Sequence, residues 1–489
     1  WEVGLDGWAL VPRTVAPTII LLLVFVTIPA LGSETSRRFA RGGYATAVIA
    51  ALALGVGAVV AHAAAAPQEI GGQTPVQPGP ATADDPAGDA MAAAPAQVVP
   101  GALAPAAGGT DAAATPPAQP LQAGKDWPAY GGTDLADRFS PLTQITGGNV
   151  GKLEQVWTYR TGDMPDAAAK GKYSPENTPL KVGSHLFVCS AKNIMISIDA
   201  ASGKEAWRYD PQVKDTAIPY GATCRGVAYY AVPDAKSDQA CGARVLEGTL
   251  DARLIAVDAA TGKPCADFGK GGIVDLNQGI GKTVPGWYSV TSPPTIVRGI
   301  AVVGAQVKDG QAEDAPSGVI RGYDAVTGRL AWAWDMGHPD RTGAPPPGET
   351  YTRGTPNMWT TAAGDEQLGY VYIPLGNSSV DYFGGNRKPF ENEYSSSLVA
   401  IDVTTGKPVW HFQTVHYDLW DYDLGSQPSL VDFPSKSGPV PAIILPSKQG
   451  QIYVLNRKTG KSLFPVIDHQ APSEGVEPAK LSKMQPYSG

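Results

Sequence analysis

The residues best suited to chemistry in this chain sit in short polar phrases between apolar runs. Asp418, Asp421 and Asp423 cluster in DLWDYD. A carboxylate held at such a turn can take a proton as a general base, although by type and spacing alone the cluster also reads as a solvated acidic turn. Lys448 follows in LPSKQG, 27 residues after Asp421, and Arg225 stands in TCRGVAY. Fixed cations stabilise developing or bound anions, and the guanidinium fork suits carboxylates. Taken alone, the lysine is an exposed turn residue and the arginine half of a surface ion pair. Trp359 in TPNMW offers a flat aromatic face. The six histidines are scattered, and Cys189, Cys224, Cys241 and Cys265 form no CxxC and no CxxCH. That pattern argues against a zinc site and against a haem in this chain.

A repeated phrase must position these residues. It reads SIDAASGKEAWRYD around Asp199, AVDAATGKPCADFG around Asp258, GYDAVTGRLAWAWD around Asp324 and AIDVTTGKPVWHFQ around Asp402. A decayed copy, VLNRKTGKSLFPVI, surrounds Asn456. Each copy joins an alternating apolar run to a turn of Asp or Asn with Thr/Ser-Gly, which is a hairpin signal. The copies recur 54 to 78 residues apart, long enough for one four-stranded blade each.

Composition agrees with an all-β body. Charged residues are only 17%, while the 57 glycines and 44 prolines supply many turns. A net charge of −8 leaves no basic stripe to neutralise phosphates, which excludes a nucleic-acid binder. All four cysteines lie in the β region. Outside the cytoplasm one or two disulfides are expected, with three full pairings open; the other reading is four buried thiols.

Residues 14–31 and 43–65 are each apolar for roughly the length of a transmembrane helix. Arg37, Arg38 and Arg41 lie between them, so the positive-inside rule puts that loop in the cytoplasm and the rest of the chain outside it. The competing reading is a signal peptide cleaved after Ala65. Residues 66–123, rich in Ala, Pro and Gly, read as a disordered linker, and the globular part runs over 124–489. The chain reads as a fragment cut at both ends. About five blades cannot close a larger ring, so the open edges should leave the fragment alone poorly soluble or inactive.

DWPAYGG, RFSPLTQI and the DAxTGK turns together resemble the quinoprotein dehydrogenases, eight-bladed propellers that carry pyrroloquinoline quinone (PQQ). PENTPLKVG, TCRGVAYY, TSPPTIV, SGVIRGYDAVTG and TVHYDLWDYDLGSQP resemble the membrane-bound glucose/quinate/shikimate branch more narrowly. The resemblance implies an inner-membrane, multi-pass protein whose catalytic propeller faces the periplasm. It implies oxidation of a sugar or cyclic polyol, glucose to gluconolactone first and quinate or shikimate next, with electrons passed to ubiquinone. Side chains supply no good hydride acceptor, so the cofactor must carry that part.

By the same resemblance Asp421 is the base that takes the substrate hydroxyl proton, and Lys448 contacts the quinone oxygens. Arg225 pairs with a PQQ carboxylate, Trp359 stacks under the ring plane, and Glu176 and Thr291 stand around the quinone. Asp309, Asn377 and Asp421 are the implied ligands of Ca²⁺ or Mg²⁺, the choice being open because APSGVIRG, with Ser317, stands where soluble relatives have a Glu. Trp157, Trp207, Trp332 and Trp410 match the tryptophans that pack between blades. Glucose-oxidising members usually carry a His shortly before TCRG, whereas this chain has Tyr220 and Gly221, which weakens glucose as the substrate. A non-catalytic propeller scaffold is the rival from another class. It would keep the turns but has no need of Arg225, Trp359, Asp421 and Lys448 together.

Overall fold

The computed structural model describes residues 124–489, apart from 168, 237, 309–311 and 478–479. The two apolar spans and the linker lie outside the described residues. Among the described residues no helix is long and apolar enough to cross a membrane.

The described chain is built from successive antiparallel sheets. The first holds β1 (Leu180–Val182), β2 (His185–Cys189), β3 (Met195–Asp199) and β4 (Glu205–Tyr209) in sequence order. The second holds β5 (Ala228–Ala231), β6 (Ala243–Gly248), β7 (Arg253–Asp258) and β8 (Ile273–Asp275). A short pair, β9 (Tyr288–Ser289) and β12 (Gln306–Val307), flanks the third sheet. That sheet comprises β10 (Thr295–Val297), β11 (Ile300–Val303), β13 (Ile320–Asp324) and β14 (Leu330–Trp334). The fourth contains β15 (Ala363–Asp365), β16 (Tyr370–Pro374), β17 (Ser397–Asp402) and β18 (Lys407–Gln413), with the short helix α1 (Pro389–Tyr394) between its middle strands. A three-stranded sheet follows, of β19 (Ser429–Phe433), β20 (Val440–Pro446) and β21 (Ile452–Asn456). The hairpin β22 (Val466–Gln470) and β23 (Met484–Ser488) ends the chain. Four full blades and a three-stranded fifth match the repeat count read from the sequence.

Apolar layers between neighbouring sheets bind the blades. Val245, Ile255 and Val257 of the second sheet share a cluster with Phe187 and Met195 of the first. Leu246 and Leu254 face Ile296, Ala301 and Val303 of the third, whose Trp332 and Trp334 meet Val371, Ile373 and Val399 of the fourth. A sheet buried on both faces needs near-continuous apolar strands, which is why β7 and β17 read RLIAVD and SLVAID. The first strands of successive sheets touch, β5 with β10, β10 with β15 and β15 with β19, so they converge on an axis. Beside them lies a cavity of ≈ 810 Å³, lined by Tyr130, Asp134, Tyr230, Thr295, Asp365 and Arg457 among others.

The repeated turns lock each blade to the one before it. In each copy the Gly amide donates to the backbone carbonyl of the Asp or Asn, at 2.8 Å for Gly203, Gly262, Gly328, Gly406 and Gly460. The Asp or Asn side chain accepts from the turn as well; Asp324 takes the Val326 and Thr327 amides and the Thr327 hydroxyl. A tryptophan then docks on four of the five glycines. Trp157, Trp207, Trp332 and Trp410 donate their indole N–H groups to Ala200, Ala259, Val403 and Arg457 carbonyls at 3.2, 2.9, 2.7 and 3.3 Å. The tryptophans read from the sequence as interblade packers do that work. The second repeat has KPCADFG in place of a tryptophan, and there Gly269 donates its amide to Thr327 instead, at 2.8 Å.

Gly406 shows what this dock demands. Its φ is +70°, and a Cβ there would stand 2.6 Å from the Trp332 Cβ and Cγ. Gly406→Ala is expected to cost roughly 2–4 kcal/mol of stability, combining left-handed strain with overpacking. Urea unfolding checks this, and a loss below about 1 kcal/mol would contradict it.

Candidate active site

The meander puts the candidate residues at one end of the sheets. In an antiparallel sheet of sequential strands, the loop entering the first strand and the turn between second and third share an end. Glu176 precedes β1, Arg225 precedes β5, Thr291 precedes β10, Trp359 precedes β15, and Asp421 precedes β19. Asn377 follows β16 and Lys448 follows β20, so both come out at that same end. The Asp-Gly turns, after each third strand, occupy the other end. Blade-binding turns and site loops are thereby separated.

Hydrogen bonds and ion pairs join these residues into one connected array. Arg225 donates through Nη2 to Glu176 Oε2 at 2.9 Å and through Nη1 to Thr291 Oγ1 at 2.9 Å. Its guanidinium carbon lies 5.1 Å from the centroid of the Trp359 ring, and Nη1 also reaches the Trp359 carbonyl at 3.3 Å. Thr291, buried, donates its hydroxyl to that same carbonyl at 3.0 Å. The Trp359 indole N–H donates to Asp423 Oδ2 at 3.0 Å. Lys448 Nζ stands between two carboxylates, 3.3 Å from Asp421 Oδ2 and 3.5 Å from Asp423 Oδ2, and donates to the Asp421 carbonyl at 2.8 Å. Asp423 Oδ1 accepts the Asn377 amide at 2.6 Å. Glu176, Arg225, Thr291, Trp359, Asn377, Asp421 and Lys448 thus fall in one array. Asp309 lies outside the described residues.

The acidic turn is not a solvated cluster. Asp418 is fully buried and accepts the Ser396 hydroxyl at 2.5 Å and the Trp420 and Tyr422 amides at 2.9 and 2.8 Å. Burial, opposed by these bonds, pushes its carboxyl above the ordinary range. Asp421 has φ +61°, a left-handed conformation that Asp tolerates better than most residues. The three aspartates therefore divide their work: Asp418 ties the turn, Asp423 bridges Trp359, Asn377 and Lys448, and the partly exposed Asp421 faces the lysine. Sequence assigns Asp423 no role apart from the cluster, because only the tertiary fold brings the indole to it. Burial works against the Lys448 charge, but Asp423 and Asp421 outweigh it and raise its pKa. For Arg225 burial wins over Glu176, and its pKa is lowered.

Two details bear on what the array can hold. A half-buried indole with one guanidinium over it and an ammonium beyond its N–H suits a flat, polyanionic ring system. For a hard cation, Asn377 is held rigidly: its Nδ2 donates to the Asp381 and Asp418 carbonyls at 3.2 and 3.0 Å. Nearby, the Asn357 carboxamide oxygen is buried without a hydrogen-bond partner, while the Asn357 carbonyl accepts the Gly376 amide at 2.8 Å. Ser317 is fully buried, and its hydroxyl accepts the Val319 amide at 3.1 Å. Tyr220 is half exposed with Lys308 Nζ 5.6 Å above its ring. The open question about the cysteines resolves into two disulfides, Cys189–Cys224 and Cys241–Cys265.

Comparison with known proteins identifies the fold and the family. The family model for the β-propeller domain of glucose/ethanol/alcohol dehydrogenases (PQQ) matches residues 127–489. The glycerol dehydrogenase large subunit of Gluconobacter thailandicus is 46% identical, over 92% of this chain and 63% of its own length. The quinoprotein glucose dehydrogenase of Escherichia coli (strain K12) is 37% identical, over all of this chain and 57% of its own. The quinate/shikimate dehydrogenase (quinone) of Acinetobacter baylyi is 42% identical over 76% of this chain and 48% of its own. Among solved structures, the quinohemoprotein alcohol dehydrogenase of Comamonas testosteroni superposes with a TM-score of 0.56 at 26% identity, covering 74% of this chain and 52% of that one. The chain spans about half to three-fifths of the length of these relatives. With a family model covering the whole described propeller, the chain belongs to the PQQ-dependent glucose/ethanol/alcohol dehydrogenase β-propeller family.

Proposed function

We propose that the intact protein is a membrane-bound quinoprotein dehydrogenase that oxidises a hydroxyl of a sugar or polyol. The observation that carries this reading is the single array from Glu176 through Arg225, Trp359, Asp423 and Lys448 to Asp421. A scaffold propeller has no use for such an array; its blades need only the Asp-Gly turns and their tryptophans.

Bound PQQ would supply the hydride acceptor that no side chain provides. Arg225 and Thr291 would hold its carboxylate edge, with Glu176 fixing the guanidinium from behind, and Trp359 would floor the ring. Lys448 would place its charge where the quinone oxygens gain electron density. Asp421 would accept the substrate hydroxyl proton at a carboxylate oxygen. Asn377, Asp421 and Asp309 remain the proposed ligands of Ca²⁺ or Mg²⁺; the chain supplies oxygen donors there, as such cations require. The membrane helices, the periplasmic placing of the propeller and delivery of electrons to ubiquinone belong to the same proposal and are supported by the apolar spans and by the resemblance of the sequence motifs to the membrane-bound branch.

The relatives' names put glycerol beside glucose and quinate, so glucose is one candidate within a polyol class. Membranes carrying the full-length parent, reconstituted with PQQ and Ca²⁺ or Mg²⁺, should reduce an artificial dye with at least one of glucose, glycerol, quinate or shikimate. Failure with all of them under saturating PQQ would contradict the substrate class.

A further inference from the structure

The Glu176–Arg225 pair alone cannot fix the arginine. Glu176 is 42% exposed in its side chain, and an ion pair open to water on one side contributes little. Directly behind the pair lies a disulfide that the proposed chemistry does not use. Cys224 immediately precedes Arg225 and is bonded to Cys189 at the end of β2. Cys189 Sγ in turn accepts the Asn177 side-chain N–H at 3.1 Å, and Asn177 immediately follows Glu176. The path from Glu176 through Asn177, Cys189, Cys224 and Arg225 and back across the ion pair is a closed circuit. Both cysteines are buried, at 4% and 3% exposure, so the covalent side of the circuit is shielded from water although its ion-pair side is not. Backbone bonds seat the circuit: Thr178 donates to the Arg225 carbonyl at 2.9 Å, and the Arg225 amide donates to Thr291 at 3.1 Å.

A buried acid backs the sulfur. Glu247 is fully buried; its Oε1 lies 3.1 Å from Cys224 Sγ and accepts Asn193 Nδ2 at 3.0 Å, while Oε2 has no partner. Burial raises its pKa well above the ordinary range, opposed by the Asn193 hydrogen bond. The other disulfide, Cys241–Cys265, belongs to the second sheet's opposite end, where the Cys241 amide donates to the repeat Asp258.

We infer that the Cys189–Cys224 disulfide is a positioning device that holds Arg225 in register with Glu176 for the carboxylate edge of the cofactor. This rests on the PQQ reading above. A preset guanidinium loses less freedom on binding, so the device should act on cofactor affinity more than on turnover.

The test measures PQQ affinity of the full-length parent by tryptophan fluorescence quenching, with melting temperature alongside. Cys189→Ala/Cys224→Ala should weaken PQQ binding tenfold or more, by a factor on the order of 10–50, with kcat at saturating PQQ within threefold. Cys241→Ala/Cys265→Ala is the control: its 24-residue loop is comparable with the 35-residue loop of the first pair, so stability losses should be similar. PQQ affinity should stay within threefold in that control. In an Arg225→Ala background, removing Cys189–Cys224 should add nothing further, because the device acts through Arg225. Should the double variant not fold, Asn177→Ala decides, with an expected two- to fivefold loss of affinity. Equal affinity losses from the two disulfides, or additive losses with Arg225→Ala, would overturn the inference. A wild-type parent that binds no PQQ would instead overturn the functional reading on which it rests.

Discussion

Asp421→Asn is expected to lower turnover by about 10²–10⁴-fold while leaving PQQ affinity within a few-fold. The substitution keeps the side-chain shape, and Asn tolerates the left-handed φ of +61° at this position as well as Asp does. The Asp421 backbone carbonyl still accepts Lys448 at 2.8 Å, so the lysine keeps one anchor there and keeps Asp423. What the amide cannot do is accept the hydroxyl proton. A loss confined to kcat therefore reports chemistry, whereas an equal loss in cofactor affinity would make Asp421 a structural residue. Asp421→Ala is a poorer test, since it adds backbone strain and removes the side-chain oxygen that Asn still offers to Lys448.

Arg225→Ala has the second large effect, on cofactor affinity. It removes one charge-assisted contact to the cofactor, on the order of 1.5–3 kcal/mol, which is about 10–150-fold in Kd. Glu176, exposed over 42% of its side chain, can be rehydrated, so the protein itself should lose little stability. Arg225→Lys should fall between, because the ammonium keeps the charge and loses the fork. Titration of PQQ into apo-protein separates the three. If alanine and lysine variants bind as tightly as wild type, the arginine does not face the cofactor.

The architecture was legible in the sequence because each repeat carries its own local code. An Asp that caps its turn and a Gly at φ near +70° are both short-range or periodic signals. The tryptophans that pack between blades were legible through the resemblance. The site was legible only by resemblance: DLWDYD has the composition of a solvated turn, and nothing local says that Asp418 is buried under Ser396. Asp423 went unassigned because its partners, Trp359 and Asn377, come from 64 and 46 residues away in sequence. The disulfides were equally hidden, since pairing depends on how β2 lies against the loop before β5, and four cysteines allow three pairings. Asp309 and the two apolar spans fall outside the described residues and stand as proposals.

The measurement that bears most directly on the central claim is reconstitution of the apo full-length parent with PQQ in the presence of Ca²⁺ or Mg²⁺. Binding and dye-linked oxidation of a polyol or sugar should be followed together. Saturable PQQ binding with activity that appears in parallel, and vanishes in Asp421→Asn without loss of binding, is the predicted result. No PQQ binding, or oxidation indifferent to added PQQ, would contradict the account and return the propeller to a scaffold role.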